Sequence, residues 1–251
     1  MSTCTFKQRL GEAISLPLGG VGSGHWGHTG RPGERGGSLP GQLGVLQPTL
    51  PGMFGKPALP ENRLKHALLV ADVRLHNRLM DGDPDEYCFA FDAEGNQVFE
   101  KEGRGAEIAF SNSEMETLKN ASFTHCHPLG GDLPTSDPRY VGNSFSIEDI
   151  VFAAKVDLAE MRAVSRGFVH VMKRPPFGWP PWQTVLREAE QASDLVYQML
   201  MVQLSLAEVS AEEASINHQH TLWKNMATTL DWDYERVLYD DFLDRHSETP
   251  E

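Results

Sequence analysis

His125-Cys126-His127-Pro128 places two imidazoles at positions i and i+2. In an extended backbone such residues project from one face, and Pro128 enforces extension by pushing the residue before it out of the helical region. Two rings on one face near a strand end can grip a single divalent ion. Downstream, Ser146-Ile-Glu-Asp149 opens an apolar helical stretch, so Asp149 is the natural third ligand, a hard oxygen donor on a rigid element. Three protein ligands with one position left for water are the arrangement of a catalytic zinc. Zinc lowers the pKa of the water it holds to roughly 7. A carboxylate must then take that proton and pass it to the leaving group. Glu86 is the candidate, because adjacent strands can bring the start of the Tyr87–Phe91 run beside His125.

Each feature also has a plainer reading. A His-x-His pair in a strand is often two half-buried polar groups. Ser146 and Asp149 have the spacing of a helix capping box, which arises for helix stability alone. Cys126 points away from both histidines and reads as core. His218-Gln-His220 lies in a helical stretch, where i and i+2 face about 200° apart; it is a poor chelate and reads as surface.

Several elements must position these groups. Leu64, Leu68, Ala71, Leu75 and Leu79 recur at helical spacing across 61–80, until Asp81-Gly-Asp-Pro-Asp85 breaks the pattern. Tyr87–Asp92 and Gln97–Lys101 flank Ala93-Glu-Gly-Asn96 and read as a hairpin. Glu107–Phe110 reads as a short strand, and Ser113 with Glu116 as the cap of a helical turn. Ala121–Pro128 is a strand entering the irregular stretch Leu129–Asn143. A helix from Ser146 is followed by strands at Glu160–Ser165 and Phe168–Met172, and four prolines between 175 and 181 close the unit. Val185, Ala189, Ala192, Val196 and Met199 then step as a heptad-like seam. Leu200–Leu206 reads as apolar core and Ala211–Leu230 as a further helix. The pattern is α+β.

Composition bounds the function. The 251 residues carry a net charge of −13, and residues 181–251 hold 4 Lys and Arg against 14 Asp and Glu. Such a surface repels phosphate, so nucleic acid is not an expected partner. No apolar run approaches the roughly 18 residues of a bilayer span. No apolar segment follows Met1, and Cys4, Cys88 and Cys126 form neither a disulfide framework nor a zinc clip, so an intracellular, reduced protein is expected. Glycine fills 11 of the 26 positions in 19–44, a composition that rarely supports a packed core. The expected organisation is a flexible Gly/Pro-rich arm over 1–60, a metal-binding domain over 61–180 and an acidic helical extension over 181–251. His25 and His28 read as part of the arm.

The order Glu86-Tyr-Cys-Phe-Ala-Phe-Asp, His125-Cys-His-Pro128, Ser146-Ile-Glu-Asp149 resembles the JAB/MPN (JAMM) metalloprotease superfamily across residues 81–173. It is most similar to the RadC-like branch. Two departures stand out: Cys126 occupies a position usually Asn or Ser, and 18 residues separate His127 from Ser146, a longer gap than the family usually has. The resemblance implies a mixed sheet flanked by helices, with zinc (Zn2+) held by His125, His127 and Asp149. It also implies Glu86 as general base, and Ser146 steadying the tetrahedral intermediate. The glycine-rich stretch from Gly22 to Ser38 is similar to linkers of phage and prophage head-gene products, and the His-x-His-Pro unit ending Met161-Arg-Ala-Val164 is similar to domains that such proteins carry.

The expected function is therefore zinc-dependent hydrolysis of a peptide or isopeptide bond, with a protein or peptide substrate. Phage structural proteins would be further partners, and the setting host cytoplasm or virion. Two alternatives remain open: a non-catalytic phage assembly scaffold, and a toxin-like nuclease using His125 or His127 as a base.

Overall fold

Six strands form one mixed sheet in the order β2-β1-β3-β4-β5-β6. A computed structural model of the chain describes residues 60–128 and 133–247. The elements are α1 (Pro60–Met80), β1 (Tyr87–Phe91), β2 (Gln97–Glu102), α2 (Asn112–Thr117), β3 (Ser122–Cys126), a 3-10 turn (Pro138–Val141), α3 (Ile147–Val156), β4 (Glu160–Val164), β5 (Phe168–Lys173), α4 (Trp182–Ser205), α5 (Ala211–Leu230), β6 (Tyr234–Leu238) and α6 (Tyr239–Ser247). This is an α+β architecture. Residues 1–59 of the expected arm, with Cys4, His25 and His28, lie outside the described residues, and Pro60 opens α1.

All neighbouring strands pair antiparallel except β3 and β4. A parallel pair needs a crossover, and α3 supplies it. The helix runs back along the sheet, so its N-terminus meets the C-terminal end of β3. That topology brings Ser146 and Asp149 to the end of the strand bearing the two histidines.

Alternation along the strands sends side chains into two layers. On one face Cys88, Ala90, Phe123, Met161, Ala163 and Met172 pack against α3, α4 and α5 around the buried Trp223. On the other, Phe89, Phe91, Cys126 and Val164 meet the α1 stripe of Leu68, Ala71, Leu75 and Leu79. Val169 and Val237 meet Tyr239 and Phe242 of α6 on the same side. The α1 stripe is the one read from its spacing, and each fully buried leucine contributes about 1.5–3 kcal/mol. Beneath α1, buried Asp72 accepts from Thr124 Oγ1 at 2.6 Å and from Arg162 Nη1 at 2.7 Å, and Arg162 also pairs with Glu160. No helix among the described residues is long and apolar enough to cross a membrane.

Several local expectations are corrected. Glu107–Phe110 is not a strand; Phe110 instead packs its ring on Phe152 of α3 at 4.7 Å, a tertiary contact that its period-two pattern did not distinguish from sheet. The cap of α2 is Ser111 with Glu114, not Ser113 with Glu116, two overlapping matches to the same spacing. In α4 the buried seam is Val185, Ala189, Ser193, Val196 and Leu200. It drifts off Met199 because a straight α-helix does not keep a strict heptad. Leu200–Leu206 is accordingly not core: Leu200 is buried, whereas Val202 and Leu206 are 57% and 63% exposed. The stretch after residue 180 is helical except for β6, which joins the sheet, and its helices share the core described above.

Candidate metal centre

Backbone pairing sets the first two candidate ligands. Cys88 of β1 lies opposite His125 of β3, and Val164 of β4 accepts from the His127 amide at 2.9 Å. The β1–β3 ladder ends at the Cys88–His125 pair. Glu86 stands one residue before β1, where its amide donates to Gly105 O at 2.7 Å and its carbonyl accepts from the Gly103 amide at 2.8 Å. Cys126 faces the α1 layer, where burial pushes its thiol up to about 12. It is core, as read from the alternation.

The third group arrives on α3. Ser146 is the N-cap: its hydroxyl accepts from the Asp149 amide at 3.1 Å, while Asp149 Oδ2 accepts from the Ser146 amide at 2.7 Å. The capping reading and the ligand reading both hold, because one carboxylate serves both. Its oxygens lie 3.4 Å from His125 Nε2 and 3.3 Å from His127 Nε2. The acidic group also stabilises the positive end of the helix dipole.

The extra length between His127 and Ser146 does not displace the helix. The connection is pinned to the β4–β5 turn by the Gly167 amide donating to Val141 O at 2.9 Å. It then turns at Gly142, whose φ of +85° and close approach to Ser165 suit only a glycine; an added Cβ would sit 2.7 Å from Ser165 Cβ. Residues 129–132 of this stretch lie outside those described.

His125, His127 and Asp149 form a group that could hold a metal ion, with ligand atoms all within 4.8 Å of one another. Bonds of about 2.0–2.1 Å at tetrahedral angles place donor atoms ~3.4 Å apart. The two carboxylate–imidazole distances run to different oxygens of Asp149, Oδ1 toward His125 and Oδ2 toward His127, and the 2.8 Å between the imidazole Nε2 atoms would open by about 0.6 Å to reach that spacing. The side chains are 4%, 15% and 21% exposed respectively, so the group is sheltered with its carboxylate side nearer to solvent. His127 Nδ1 lies 3.3 Å from the Asn143 carbonyl. A carbonyl only accepts, so Nδ1 carries the hydrogen and the Nε2 lone pair of the neutral ring faces the group. His125 Nδ1 is buried without a hydrogen-bond partner.

The electrostatics are those of a mutually stabilising set. Burial alone would raise Asp149, but the charges and hydrogen bonds of His125 and His127 overcome it and hold the carboxyl well below its usual range. Burial opposes the charged form of His127, yet Asp149, the charge of Glu86 and the Asn143 carbonyl raise it overall. Glu86 thus acts on the site through its field. Ser146 spends an oxygen lone pair on the cap and keeps its hydroxyl hydrogen to donate.

Sequence reasoning missed a second polar group on the same sheet face. Tyr234 Oη lies 2.9 Å from Ser144 Oγ, 2.9 Å from His220 Nδ1 and 3.3 Å from His170 Nδ1. Burial, together with the nearby charge of Arg236, drives His220 down to about 4 and His170 well below its usual value. The cluster is neutral. His218 and His220, expected on the surface, are a correction: His218 is 1% exposed against Ser193 of α4, and His220 meets Tyr234. A helix covered on two sides buries both faces, so the 200° separation did not imply exposure. The cluster spans residues 144 to 234, and no local spacing marks it.

No family model matches the chain, and neither a curated protein nor a solved structure matches it.

Proposed function

We propose that the chain is a zinc-dependent hydrolase of JAB/MPN-like fold that cleaves a peptide or isopeptide bond. The observation that carries this reading is the convergence of His125, His127 and Asp149, whose ligand atoms all lie within 4.8 Å of one another, with the charge of Glu86 acting on His127. Two nitrogens and one carboxylate oxygen suit zinc with a position left over for water. Zinc bound there would supply Lewis acidity toward a carbonyl and lower the pKa of a water to about 7.

The chain's own residues supply the rest. Glu86 takes a proton from the attacking water and delivers it to the leaving amine. The Ser146 hydroxyl donates to the developing oxyanion. The Asn143 carbonyl holds the ring of His127 in the tautomer that coordinates. The phage-type linker supports a host-cytoplasmic or virion setting, with phage structural proteins as partners.

Purified protein is expected to carry about one zinc per chain, measured by atomic emission, and the His125→Ala/His127→Ala double variant none. Equal, negligible zinc in both would overturn the reading. Glu86→Gln is expected to keep its zinc and lose cleavage of isopeptide-linked or peptide substrates by ~100-fold or more. A scaffold would instead assemble normally with that substitution, and the wild type would cleave nothing.

A further inference from the structure

The segment Asn143–Ser146 is held at every residue, alternately by the metal centre and by the fold. The carbonyl of Asn143 accepts from His127 Nδ1, and the hydroxyl of Ser144 meets Tyr234 Oη. The carbonyl of Phe145 accepts from Trp223 Nε1 at 2.8 Å, and the amide of Ser146 donates to Asp149 Oδ2. Tyr234 is held in turn. Three partners saturate its one O–H and two lone pairs, and its ring lies beside those of Phe145, His170 and His220.

We infer that Tyr234 is a positioning residue for the metal centre. By fixing Ser144 it holds the neighbouring Asn143 carbonyl against His127 Nδ1, and so keeps His127 Nε2 turned toward the position that His125 and Asp149 also face. Its residues come from β6, some 90 positions from Ser144, so the sheet's far strand reaches the site through one hydroxyl pair. Partners of this kind orient ligands and set affinity. The inference rests on the proposed metal site, but not on hydrolysis.

The test is zinc affinity by competition with a chromophoric chelator, with the visible absorption of the Co2+-loaded protein as a second readout. Tyr234→Phe is expected to weaken zinc binding by ~10–100-fold and to alter the Co2+ band intensities. Ser144→Ala removes the same contact from the other side without touching the sheet, and carries the test should Tyr234→Phe fail to fold. Because both act through one contact, the double variant should bind no more weakly than either single one. Variants that bind zinc and absorb as the wild type does would overturn the inference alone. A wild type that binds neither zinc nor Co2+ would overturn the metal site, and this inference with it.

Discussion

Asp149 does three things at once: it caps α3, it opposes two imidazoles, and it can donate an oxygen to an ion. In the metal-free protein the pair it makes with His127 ties stability to pH. The folded value of His127 is raised above its ordinary 6.5, so that contribution is complete below 6.5 and fades as pH rises through the folded value. The folded value of Asp149 is depressed below 3.8, so its contribution is complete above 3.8 and is lost as pH falls through the folded value. Both are present together between those limits. With chelator present, the melting-temperature gap between wild type and Asp149→Asn should be widest at about pH 5 and narrow as the pH rises through the raised His127 value. A gap constant with pH would contradict the pairing. Zinc competes with protons for the same ring, so its affinity should fall as pH drops through the raised His127 value.

At the scale of elements, the site is a strand end facing a helix start, joined by a long connection that the β4–β5 turn recaptures at Gly142. Gly142→Ala meets both a left-handed φ and a side chain at 2.7 Å. It should cost about 1–3 kcal/mol in denaturant unfolding and weaken zinc binding as well, because Asn143 follows directly. Stability and zinc affinity equal to wild type would show that the turn does not hold the site. The capping box makes a separate claim. Ser146→Ala should lower stability by about 1 kcal/mol in denaturant unfolding, because it removes the hydroxyl that accepts from the Asp149 amide and leaves the backbone amide of residue 146 on Asp149 Oδ2.

Across the whole molecule, the buried Asp72–Arg162 pair ties α1 to the sheet centre beneath the histidine-bearing strand. Arg162→Leu leaves Asp72 buried without its cation, and breaking such a pair costs roughly 3–5 kcal/mol. Chemical denaturation of that variant against Arg162→Lys, which keeps the charge, tests the contribution. A loss below about 1 kcal/mol would mean that the pair is not the tie described.

Local sequence determined the elements whose pattern is self-sufficient: the α1 stripe, the β1–β2 hairpin, the strand made extended by Pro128 and the helix opened by Ser146. It also marked His125, His127 and Asp149, the group that could hold a metal ion, because two histidines on one face of a strand end have a spacing that can be read. Tertiary structure alone decided that Asp149 reaches both rings across the long connection, since loop closure depends on where Gly142 and Gly167 dock. It alone assembled Tyr234, His170, His220 and Ser144, and turned Glu107–Phe110 from strand into a packed loop. Spacing encodes which face of an element a residue takes, but only packing determines what that face meets.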